Sequence, residues 1–202
     1  MAGGAVVIAT GSLLWYVNRG SGAVVLVLLT ISIVLGIVTT MRWQTPRWPR
    51  FITAALHRNV SLLSMAFLAI HVFSAVADGY VPIGWKDTVV PFVAGYRTFW
   101  LGLGAVVLDL LVAIVLTSLL RERLGPRAWK AVHWSAYACW PIAFIHGLGT
   151  GTDVGAAWMI AIDGACVLAV GLAVLWRGRS RPDEPRLTAP MPARARAMVG
   201  RD

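Results

Sequence analysis

The sequence predicts an all-α integral membrane protein: a bundle of five transmembrane helices, or six if the N-terminal segment enters the bilayer. Two observations carry this. Of 202 residues, 58% are hydrophobic and 13% charged, where an average soluble domain is roughly a quarter charged. The apolar residues also come in long runs, and a spanning helix needs about 20 of them in succession. With a mean hydropathy of +0.72, lipid is the solvent, and a soluble enzyme around one core is excluded.

The first helix is expected from Ser21 to Met41, with Ser21 as its N-cap. The second runs from about Phe51 to Ala77 and is fully apolar from near Val60; the third is Thr98 to Leu120. The fourth is Trp129 to Leu148 and the fifth Ala156 to Trp176. Residues 5–17 are too short to span alone and end in Trp15 and Tyr16, residue types that favour the membrane interface. They are expected as an interfacial helix or as part of a sixth segment. This opening stretch lacks a positively charged start and an A-x-A-like site, which predicts that it is retained. The chain thus divides into an N-terminal segment 1–20, a membrane domain 21–176 and a tail 177–202. The tail is rich in Pro, Ala and Arg without apolar periodicity; it is expected to be disordered and held near anionic head groups. Residues 78–97, with Trp85 and Tyr96, read as a long outer loop along the interface.

A formal charge of +9 would suggest nucleic acid in a soluble protein. Here the basic residues sit between apolar runs, which reads as topology and not as nucleic-acid binding. Arg42, Arg47, Arg50 and Arg58 follow the first helix; Arg121, Arg123, Arg127 and Lys130 follow the third; Arg177, Arg179, Arg181, Arg186, Arg194, Arg196 and Arg201 follow the fifth. The opposite loops hold Arg19, Lys86 and Arg97. The positive-inside rule then predicts a multi-pass protein of the cell's inner (plasma) membrane, N-terminus outside and C-terminus cytoplasmic. Cys139 and Cys166 lie in apolar runs without a CxxC or CxxCH. They read as small buried residues, and a zinc site, iron–sulfur site or covalent c-type haem is unsupported.

The chemistry lies in four histidines: His57 and His71 on the second helix, His133 and His146 on the fourth. At 1.5 Å per residue each pair is separated by roughly 20 Å. Fourteen residues is just under four turns, so His57 and His71 share a face. Thirteen residues falls short of a whole number of turns, and Pro141 between His133 and His146 is expected to re-phase that helix. Both helices run from inside to outside. His57 and His133 therefore share an inner level, and His71 and His146 an outer one. A zinc or copper site wants three or four clustered protein ligands, and each level offers two. Haem brings its own four equatorial nitrogens and asks the protein for axial ligands. Two imidazoles would leave no open position on the iron, which suits electron transfer. A lone membrane histidine is often only a packed polar residue; two pairs at matched depth are not readily explained so.

The H-x13-H and H-x12-H spacings resemble the ferric reductase-like transmembrane domain family, which includes ferric reductases, NADPH oxidases and the haem-b subunit of bacterial periplasmic methionine sulfoxide reductase systems. The stretches LHRNVSLLSMAFLAIHV (56–72) and WKAVHWSAYACWPIAFIHGLGTGTD (129–153) are also similar to bacterial members, and the likeness extends over about residues 12–176. The resemblance implies two haem b groups, an inner one on His57 and His133 and an outer one on His71 and His146, with electrons moving outward. It implies Arg19 beside the outer haem, and Arg58 is placed to pair an inner haem propionate. No G-x-G-x-x-G occurs and 26 residues follow Trp176. The expectation is therefore a haem subunit without its own flavin or NAD(P)H domain. A separate flavoprotein reductase or a quinol would be its donor, and an outer protein or small molecule its acceptor.

Two other readings compete: a quinol-oxidising cytochrome of the b561 type, and a non-redox transporter or scaffold, against which the lack of an inverted repeat argues. Asp109 and Asp163 lie inside spans and are functional candidates by position; Asp163 would orient an outer imidazole or carry protons. Most of the ten tryptophans read as interface belts, with Trp134 and Trp140 as candidates to pack near haem. Gly102 and Gly104 would allow close helix approach.

Overall fold

The computed structural model describes residues 2–41, 43–79 and 81–180. Arg42 and most of the basic tail, including Arg181, Arg186, Arg194, Arg196 and Arg201, lie outside the described residues. Among the described residues the chain is helical: α1 (Ala2–Thr40), α2 (Arg50–Ala77), α3 (Trp85–Val89), α4 (Thr98–Leu119), α5 (Arg121–Trp134), α6 (Ala136–Thr150) and α7 (Ala157–Arg179). Four are long and apolar enough to cross a membrane: the Leu13–Thr40 part of α1, then α2, α4 and α7.

Two expected boundaries change. The first helix does not begin at Ser21; α1 is continuous from Ala2, so residues 5–17 belong to it. Ser21 is no N-cap. Its hydroxyl donates to the carbonyls of Val17 (2.6 Å) and Asn18 (3.0 Å), the back-bonding of a serine inside a helix. The fourth expected span is two helices. Helical backbone is interrupted at Gly125 (φ 76°, ψ 162°), resumes ahead of Trp129 and breaks at Ser135. Ser135 N–H reaches back three residues to Val132 O (3.0 Å), and Ala138 N–H to Ser135 O (2.9 Å). Such bonds wind the chain at 3.0 residues per turn instead of 3.6. A break at Ser135 thus lies between His133 and His146, and Pro141 stands inside α6 beyond it. The preceding α5 is polar and holds no buried residue, and left-handed Gly125 (φ 76°) bends it.

The helices form two antiparallel pairs. α2 packs along α1, α6 packs along α4, and α7 closes on α1. α2 and α6, the helices that the histidines were expected to link, make no extended contact with each other. Between the pairs lies a core of Leu26 and Leu29 (α1), Leu68 (α2), Val107 and Leu111 (α4), and Trp140 (α6). Trp140 is buried there and stacks on Phe144, while Trp134 is 64% exposed, so only the former lies between the pairs. The two cysteines are buried and unpaired, as their apolar settings suggested.

Trp140 Nε1–H donates to Thr30 Oγ1 at 2.8 Å, and that hydroxyl donates to Leu26 O at 2.8 Å. Trp140→Phe keeps most of the ring and deletes one bond. The expected loss is about 1 kcal/mol, read as a melting temperature lower by about 2–4 °C in detergent.

The basic loops gather at one end. Arg177 at the end of α7 donates to Tyr137 Oη (2.6 Å) and Thr40 Oγ1 (3.3 Å), tying the ends of α1 and α7 to the start of α6. The opposite end is covered by residues 81–97. There Phe92 takes a left-handed backbone (φ 64°) and lays its ring on Gly102, where any Cβ would collide with it. Gly102 thus allows close approach, as anticipated, though to a loop and not to a helix.

Candidate functional site

Each of three histidines meets the neighbouring helix in the same way. His57 Nδ1 lies 2.9 Å from Ser32 O, His71 Nδ1 lies 2.9 Å from Asn18 O, and His146 Nδ1 lies 2.8 Å from Trp100 O. A carbonyl only accepts, so Nδ1 carries the proton in all three. In the neutral ring Nε2 then holds the lone pair, the state a metal ligand requires.

A glycine stands four residues after each of these carbonyls: Gly36 after Ser32, Gly22 after Asn18, Gly104 after Trp100. A helical carbonyl gives one lone pair to the N–H four residues on. Its second is open, but the side chain at that later position leans back over it. Glycine removes the cover. A Cβ on Gly22 would meet His71 Cε1 at 3.0 Å, one on Gly36 would meet His57 Cε1 at 3.4 Å, and one on Gly104 would meet His146 Cε1 at 2.6 Å. On α1 the device repeats at the spacing of the histidines on α2, 14 residues in each case.

Asn18 holds His71 twice, since its side-chain amide also donates to His71 O at 2.8 Å. Ser32 hydrogen-bonds Ser61 Oγ at 2.7 Å, and Ser61 donates to His57 O. His133 differs. Its Nδ1 is buried without a partner among the described residues, and its ring stacks on Trp129 at 5.0 Å.

The expected pairs come together. The ring centres of His57 and His133 are 6.2 Å apart. Two imidazoles binding one metal atom from opposite sides, at metal–nitrogen bonds of about 2 Å, place their ring centres about 6 Å apart. His71 and His146 line one cavity of about 350 Å³ between the helix pairs, with apolar walls from Leu26, Leu68 and Phe144. No group of three or more His, Cys, Asp or Glu side chains forms among the described residues. Each level therefore presents two imidazoles, and at the outer level both line the cavity.

Arg19 lines the outer cavity, forms an ion pair with Asp153 and lies over the Trp15 ring at 3.8 Å. Arg58 is exposed, and no hydrogen bond or ion pair reaches it among the described residues. Asp163 lines the outer cavity but orients neither outer imidazole, because backbone carbonyls already hold both. Asp109 is exposed on α4.

Residues 20–146 match the model of a family described as ferric reductase like transmembrane component. The chain belongs to this family. The match covers more than half the sequence and contains all four histidines, ending on His146 itself; Arg19 stands just before it. Comparison with curated proteins and with solved structures found no match.

Proposed function

We propose that this chain is a transmembrane electron-transfer subunit that holds two b-type haems, the inner on His57 and His133 and the outer on His71 and His146. The observation that carries the reading is the set of three Nδ1 protons pointed at backbone carbonyls, which leaves Nε2 as the ligand atom at each. Family membership supports it, as does the cavity that His71 and His146 share. Haem bound there would supply a one-electron iron couple with no open coordination position. The protein's part is to fix the imidazoles, keep the centre apolar and leave roughly 20 Å between the levels.

In this reading the basic end faces the cytoplasm of a plasma-membrane protein. Electrons enter there from a separate flavoprotein reductase or from quinol, and leave to a protein or small acceptor outside. Arg19, already balanced by Asp153, would steady the charge at the outer haem, and Arg58 would stand free for an inner propionate or an anionic lipid.

Vesicles containing the purified chain and entrapped ferricyanide test the role. Added dithionite should reduce the entrapped acceptor well above the rate of empty vesicles, and His71→Ala should return the rate to that of empty vesicles. Equal rates with and without the wild-type chain would refute it. Quinol in place of dithionite separates the b561-like alternative.

A further inference from the structure

The four ligands are not held alike, and the difference falls between the two levels. We infer that Gly22, Gly36 and Gly104 are positioning residues which open a helix carbonyl to a histidine Nδ1–H. The outer haem is then gripped through both its ligands, and the inner haem through one. This rests on the two-haem reading above and deepens it.

Both outer histidines carry the device, His71 on Asn18 O beside Gly22 and His146 on Trp100 O beside Gly104. At the inner level His57 has it, on Ser32 O beside Gly36. His133 lacks it: its buried Nδ1 finds no acceptor among the described residues. The supporting elements differ in the same sense. His71, His57 and His146 stand on helices packed lengthwise on a neighbour. His133 stands near the end of α5, between the bend at Gly125 and the break at Ser135, on an element with no buried residue. A hydrogen bond to the outer nitrogen of a ligating imidazole fixes its rotation and raises its basicity, and losing such a partner typically costs 10–100-fold in metal affinity. The inner haem should therefore leave first.

The glycine distances make the claim graded. A methyl group at Gly104 would press hardest on its histidine, one at Gly22 less, and one at Gly36 would sit in near-ordinary contact. A methyl at Gly171 on α7 meets nothing within 4 Å and serves as the control.

The test is haem transfer from purified full-length protein to excess apomyoglobin, with a redox titration of the same samples. Wild type should lose haem in two phases of equal amplitude, separated by about tenfold or more. The fast phase should vanish in His133→Ala, which lacks the inner haem from the start. Gly104→Ala should speed the slow phase by about tenfold, Gly22→Ala less, Gly36→Ala and Gly171→Ala little. The outer midpoint should rise in Gly104→Ala while the inner stays, a shift that loosened packing alone would not make. If Gly104→Ala fails to assemble, the wild-type phases and Gly22→Ala still decide. Wild type with two haems released in one phase, or Gly104→Ala and Gly22→Ala proteins that release and titrate as wild type does, would overturn the inference and leave the two-haem reading standing. Wild type that binds no haem would overturn both.

Discussion

His71→Ala and His146→Ala should each strip the same haem, taking haem content from two per chain to about one. His57→Ala and His133→Ala should strip the other. The expectation follows from the architecture. α2, which carries His57 and His71, packs on α1, and α6, which carries His146, packs on α4; α2 makes no extended contact with α6 or with α5, which carries His133. An alanine at His57, His71 or His146 also deletes one hydrogen bond to the packed neighbour, at a cost of about 1 kcal/mol; the rest of each seam is untouched, so the chain should still assemble with its other level intact. Haem assay and optical spectra of the four variants decide the pairing. Single variants at His57 and His146 that deplete one and the same haem would show that the ligands pair across levels, contrary to the depth argument.

Gly149→Ala should destabilise the outer end by about 1–3 kcal/mol, the usual cost of overpacking, and lower outer haem content with it. Any Cβ at Gly149 would collide with the indole of Trp100. That tryptophan has two duties: its ring lies on Gly149 and its carbonyl holds His146 Nδ1 at 2.8 Å. Moving the ring moves the carbonyl. Arg97 adds to the coupling, since its guanidinium donates to Gly149 O. Thermal denaturation with a parallel haem assay should show both losses in Gly149→Ala and neither in Gly171→Ala.

The spans were legible because lipid demands long apolar runs, and α2, α4 and α7 begin and end within a few residues of where hydropathy places them. The histidine levels were legible because depth follows from residue count and topology. The start of α1 was not, because a serine favoured at N-caps also sits inside helices when its hydroxyl bonds back to the preceding turn, as Ser21 does to Val17 O and Asn18 O. Pro141 reads as a helix breaker, yet α6 continues through it, and the visible break falls at Ser135, a residue with no breaker signature. Of the carbonyl-and-glycine support only Gly104 was legible, as a residue of close helix approach, and His146 is what approaches it. The signal of the other two was present in the 14-residue interval from Gly22 to Gly36, which equals that from His57 to His71. Reading it requires the knowledge that α1 and α2 are antiparallel neighbours in a register that sets each glycine against a histidine. Asn18 was hidden for the same reason, as a polar residue whose partners lie 53 positions away.

The most direct test of the two-haem account is the purified wild-type chain itself, examined by pyridine haemochrome quantitation and low-temperature EPR. Two haem b per chain are expected, both six-coordinate and low-spin, with reduced-minus-oxidised bands of a b-type cytochrome. One haem per chain, none, or a high-spin iron with an open position would contradict it.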